Sequence, residues 1–234
     1  MRCMDHHGVT AVAGGSIIAK LMRTNGLVPG ANQKERLAEI NRQMKEYQDT
    51  HVIASKMPPL REKDLITDKW DEMSGPLIKA ANMRSLAPFL ELLAITYFCE
   101  PGNAFHESIV GIITALNQFY YVIYAGDVFL TAREKRLLRI STLEMGMMHM
   151  KCRQHAEAAG EMSFQVKPKA HYTQHIPYQS QLFNPRFVQC YQEESMVGLI
   201  KMIYMKSKSG PYAKRIQRVV LIKYILYFAL ASHL

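Results

Sequence analysis

The stretch Thr131–Gly160, TAREKRLLRISTLEMGMMHMKCRQHAEAAG, decides the fold class. Thr131 can accept from the backbone of Glu134 while Glu134 reaches back to Thr131, the reciprocal bonding that starts a helix. Gly160 supplies the residue that most readily ends one. The spacing between them predicts one helix from Ala132 to about Ala159, the longest in the chain. Upstream, Phe105–Tyr124 and Phe89–Phe98 read as strongly apolar core helices, with Pro101-Gly102-Asn103 as the break between them. Pro88 reads as the N1 residue of a restarted helix after a start at Ser74-Gly75-Pro76. Asn32 caps an amphipathic helix whose Leu37, Ile40, Met44 and Tyr47 recur at helical spacing. A first helix is predicted over Gly8–Arg23, and further helices near Phe187–Lys206 and Tyr212–Ser232. The one candidate strand is Met162–Val166. The expected fold class is therefore all-α, an irregular multi-helix bundle, with 1–160 as a helical body and 161–234 as a basic helical segment packed on it in one continuous domain.

Composition narrows the function classes. With 48% hydrophobic and 21% charged residues, the 234-residue chain is ordinary for a globular protein, which argues against wholesale disorder. Fifteen methionines suit adaptable cores or partner surfaces. Cys3, Cys99, Cys152 and Cys190 match no CxxC spacing, so a reduced intracellular compartment is expected. Met1–Ile18 lacks the pattern of a signal peptide. The apolar run Val219–Leu230 is interrupted by Lys223 and short for a bilayer span, so a membrane partner is not expected.

Charge is the strongest pointer to a partner. From Glu161 onward there are ten Lys and Arg against Glu161, Glu193 and Glu194, which places +7 of the chain's +9 in its last third. Lys201, Lys206, Lys208, Lys214, Arg215 and Arg218 alternate with Tyr204 and Tyr212 there. Such residues neutralise phosphates and stack on bases without reading sequence. DNA or RNA is the expected partner, and no small-molecule ligand is predicted.

Candidate chemistry centres on Lys167-Pro168-Lys169-Ala170-His171-Tyr172-Thr173-Gln174-His175. His171 and His175 stand one helical turn apart and on a helix could share a metal, but no Glu stands between them as a zinc-protease base. His149 and His155 form no pattern. Glu193-Glu194 reads by default as the acidic first turn of a helix. No nucleophile triad, phosphate-cradling glycine loop or dinucleotide fingerprint is present.

Three segments together resemble a known family. Met1-Arg2-Cys3-Met4-Asp5-His6-His7-Gly8-Val9 resembles the Met-His to Gly-Val segment of CACTA-type DNA transposases, with Arg2 in place of His. Lys169-Ala170-His171 through His175 resembles their Pro-Lys-x-His-x-x-x-His element. Glu194-Ser195-Met196-Val197-Gly198-Leu199-Ile200-Lys201 resembles their Glu-x-x-x-Gly-x-x-Lys helix, and the helical middle matches their insertion. The chain is also similar to transposon-like proteins multiplied in dinoflagellate genomes.

The resemblance implies an RNase H-like parent whose three acids bind two divalent metals. Glu194 corresponds to the last acid and Asp5 is a weaker candidate; the other two would precede Met1. The expectation is a catalytically incompetent, transposase-derived remnant, intracellular and, with a nucleic-acid partner, nuclear. No cofactor is expected, Mg²⁺ entering only with an upstream core. A helical interaction or assembly module is one alternative. A metal-dependent nuclease using Glu194, Asp5, His171 and His175 is the other.

Overall fold

The computed structural model describes residues 8–53, 55–65, 70–74, 80–181 and 183–188. They are helical with no strand among them. The chain divides into two compact units, Met1–Phe187 and Val188–Leu234. The helices are α1 (Val9–Arg23), α2 (Gln33–Thr50), α3 (Ala80–Tyr97), α4 (Ala104–Ala125), α5 (Ala132–Ala158), α6 (Pro168–Thr173) and α7 (Ile176–Gln179). Short 3-10 turns occupy Glu62–Asp64 and Pro185–Val188.

Local chemistry sets these boundaries. Asn32 accepts from the Glu35 N–H at the start of α2, and Asn103 accepts from the N–H groups of Phe105 and His106 at the start of α4. Both bonds of the Thr131–Glu134 capping box form, and Gly160 follows α5 with φ of 69°. Pro88 lies inside α3 and does not restart a helix. The tertiary packing of Phe89, Leu90, Leu93 and Ala94 outweighs the one backbone bond that a proline removes. Met162–Val166 is also corrected: it is an irregular connection bent at Phe164, and its Met162 carbonyl accepts a bond from the Asp71 N–H at 2.9 Å.

The core is built around the antiparallel pair α4 and α5, the most extensive helix contact among the described elements. α4 buries Ile109, Ile112, Ile113, Leu116, Phe119 and Ile123. It is long and apolar enough to cross a membrane, but just over half of that window is buried within the fold. α5 buries Leu138, Thr142, Met145, His149, Cys152 and Ala156, the i, i+3, i+4 stripe of an amphipathic helix. Its opposite face exposes Ile140, Leu143, Met147 and Met150. α3 packs on α4, and α1 on α2, α3 and α4. A buried bond between Thr10 Oγ1 and Tyr120 Oη, 2.8 Å long, ties α1 to α4.

A polar node fixes the segment leading into α6. Residues 70–74 cross α1 so closely that a Cβ on Gly15 would stand 2.4 Å from the Glu72 Cα. The Met73 N–H donates to the Ala11 carbonyl at 3.0 Å. Ser16 Oγ donates to the Asp71 carbonyl at 3.0 Å and accepts from the Phe164 N–H at 2.8 Å. Asp71 receives both guanidinium nitrogens of Arg23 at 2.5 and 2.8 Å, and Ser163 Oγ at 2.6 Å. At the other end, Asn184 is fully buried and donates to the carbonyls of Ile123, Gly126 and Asp127. It thereby satisfies acceptors that the end of α4 leaves open.

Candidate functional site

The segment 166–174, held in place by that node, faces the outer side of α5 across a cleft of about 830 Å³. Its volume falls within the range of small-molecule sites. Leu143, Met145, Met147 and Met150 of α5 supply apolar lining, with Val166 opposite and Val9 from the start of α1. Lys151, Lys167 and His171 line it as well, Lys167 being paired with the Glu72 carboxylate. The approach of the segment to α5 depends on Gly146. A Cβ there would stand 2.4 Å from Gln174 Nε2, which donates to the Thr142 carbonyl at 3.2 Å.

His171 and His175 come together as their spacing suggested. His171 lies in α6, which Pro168 opens, and His175 caps α7 after a single turn residue. Their Nε2 atoms are 3.1 Å apart and the rings meet edge to face, both exposed. A hydrogen bond between them requires one ring to donate and the other to accept. Among the described residues no group of three or more His, Cys, Asp and Glu side chains converges. Asp5, Glu194 and the cations Lys201, Lys206, Lys208, Lys214, Arg215 and Arg218 lie outside the described residues.

The residue that sequence reading missed is His149. It is only 3% exposed, on the buried face of α5, and it lines the cleft. Burial pushes its imidazole down to about 4, against backbone bonds to Phe164 and Gln165 that favour the charged form. The ring is therefore neutral near pH 7. Its Nε2 is buried and has no hydrogen-bond partner. An unmatched buried polar atom costs about 1–3 kcal/mol, which makes this nitrogen the least satisfied feature of the cleft.

The backbone of Phe164 stands beside the ring. It has φ of 55°, a left-handed conformation that costs a bulky side chain about 1–2 kcal/mol. In that conformation its N–H meets Ser16 and its ring packs edge-on to Phe105 at 5.9 Å. A histidine four residues after Met145 and three before Cys152 on an apolar stripe was the available signal. Cys152, the next buried residue on that stripe, is no nucleophile, because burial pushes its thiol far above the usual range.

Comparison with protein families, with curated proteins and with solved structures gives no match to this chain.

Proposed function

We propose that this protein is a non-catalytic, transposase-derived helical protein that binds nucleic acid without reading its sequence. The observation that carries the proposal is the convergence of two segments singled out in the sequence. Gly8-Val9, which end the first, and Lys167–His171, within the second, are about 160 residues apart in the chain, yet Val9, Lys167, Pro168 and His171 line one cleft. Cations accompany it: Lys151 on the same cleft, and Arg133, Arg136 and Arg139 exposed along the first turns of α5. Such cations attract a phosphate backbone, and the composition of the last third of the chain is basic as well.

The test is salt-dependent binding of a labelled single strand, followed by fluorescence anisotropy. Log affinity should fall linearly with log salt. Replacing Lys201 and Lys206 together by alanine should lower the slope by about 0.7 per lysine removed. No binding at low salt discards the proposal. The exposed apolar face of α5 favours a second reading, a helical interaction module. That reading predicts a concentration-dependent mass by light scattering, which substitution of Ile140 by Glu removes.

A further inference from the structure

A second groove, of about 650 Å³, follows the line where α3 packs on α4, with the end of α2 and residues 51–53 beside it. α3 contributes Arg84 and Glu91, and α4 contributes Asn117, Tyr120, Tyr121 and Tyr124. Arg84 and Glu91 stand two helical turns apart, about 10 Å along α3. The Arg84 guanidinium lies 4.2 Å from the Tyr124 ring centroid, and Asn117 Nδ2 donates to Glu91 Oε2 at 2.7 Å. One end of the groove is therefore positive and the other negative, with tyrosines along it.

The two charges are matched differently. Glu91 holds its bond from Asn117, whereas Arg84 forms no hydrogen bond or ion pair among the described residues. Its Nε is buried without a partner, and stacking on a ring face supplies no acceptor to a guanidinium N–H. A second guanidinium, that of Arg186, lies 5.3 Å from the same Tyr124 centroid and adds to the positive charge. An occupant must bring acceptor oxygens to Arg84 and an apolar face to the tyrosines. A carboxylate matches the fork of the two terminal nitrogens with two parallel bonds, and needs nothing from the buried Nε. Glu91 on the same helix face opposes a second negative charge, which favours a singly charged carboxylate over a phosphate dianion.

We propose that the α3–α4 groove binds a small organic carboxylate with a flat aromatic body, the carboxylate on Arg84 and the ring along the tyrosines of α4. This site is separate from nucleic-acid binding and does not depend on it.

The test is calorimetric titration of the whole protein with 2-naphthoate, 2-naphthylmethanol and 2-naphthyl phosphate, which share one aromatic body. Naphthoate should bind at one site per chain, and the uncharged alcohol should bind about tenfold or more weakly. Arg84→Met keeps an unbranched stem against Tyr124 and removes the charge. It should weaken naphthoate by about 10- to 150-fold and leave the alcohol unchanged, the worth of bonds to a charged group. Tyr121, at 70% exposure, can be replaced without disturbing the core. Tyr121→Ala should weaken naphthoate and the alcohol alike, by about 2- to 10-fold. The ligand comparison is made on wild type, so it decides even where a variant fails to fold. Equal affinity for naphthoate and the alcohol, or no binding at millimolar concentration, overturns the proposal. So does unchanged naphthoate affinity in either variant. Tighter binding of the naphthyl phosphate assigns the groove to phosphates and overturns the carboxylate.

Discussion

Residues 161–167 have two neighbours of opposite character. Toward α1, the Asp71 node matches its buried polar groups: carboxylate to Arg23 and Ser163, hydroxyl of Ser16 to two backbone groups. Toward α5, the cleft is apolar and open, and its one buried nitrogen is unmatched. Polar bonds are directional and hold a backbone to tenths of an ångström, whereas methionine contacts are tolerant. The contrast teaches a division of labour. A segment pinned on one side can leave a gap on the other without collapsing into it.

The largest expected effect comes from dismantling the pinned side. Asp71→Ala removes a bidentate partner of Arg23 and the acceptor of Ser163. Removing one member of a buried ion pair costs about 3–5 kcal/mol. The Arg23 side chain is 38% exposed, so water takes up part of its charge and the loss should fall near the lower end. Urea unfolding should show the midpoint lowered at unchanged slope. A loss below about 1 kcal/mol would mean that the node does not hold residues 161–164, and the contrast would fail.

Acidification probes the other side. The His149 imidazole titrates near 6.5 when unfolded and near 4 when folded, so between those values the unfolded chain binds more protons. Its contribution is full above about pH 6.5 and is lost as pH falls toward 4, at about 1.4 kcal/mol per unit, to a limit near 3 kcal/mol. Unfolding measured across this window should show that slope in wild type and a flatter one in His149→Gln. Equal slopes would place the titrating group elsewhere.

The parts of this contrast differ in how far the sequence reveals them. Helix caps were legible because Asn32, Thr131 and Glu134 act on backbone groups three residues away. The all-α class and the meeting of His171 with His175 follow from the same short-range periodicity. The node was not legible, since Ser16, Asp71 and Ser163 are separated by 55 and 92 residues and each reads locally as a loop or helix-surface polar group. Pro88 and Met162–Val166 were misread for a related reason. Packing around α3 overrides a local breaker, and a short run becomes a strand only where a partner strand exists. His149 was passed over because one histidine on an apolar stripe carries no pattern. Its significance lies in a buried nitrogen left without a partner, which only the packed fold reveals. The helices expected near Phe187–Lys206 and Tyr212–Ser232 fall almost wholly outside the described residues.

The smallest change sharpens the contrast most. Gly146 lets Gln174 lie against α5, and a methyl group there would meet Gln174 Nε2 at 2.4 Å. The obstacle is the far end of a flexible side chain, so the residue can swing away and give up its bond to the Thr142 carbonyl. Gly146→Ala should lose about 1 kcal/mol from that bond, partly offset by the better helix propensity of alanine. The net change in unfolding free energy should be near zero. Yet the amide of Gln174 and the turn after α6 should show faster hydrogen exchange, because the segment has lost its tie on the cleft side. Residues 162–164, held from α1, should exchange as before. Exchange that rises equally in both stretches would show that the node and the cleft wall move as one body. Exchange that rises only around Gln174 would show two independently held ends of one connection, with the cleft width set by a single glycine.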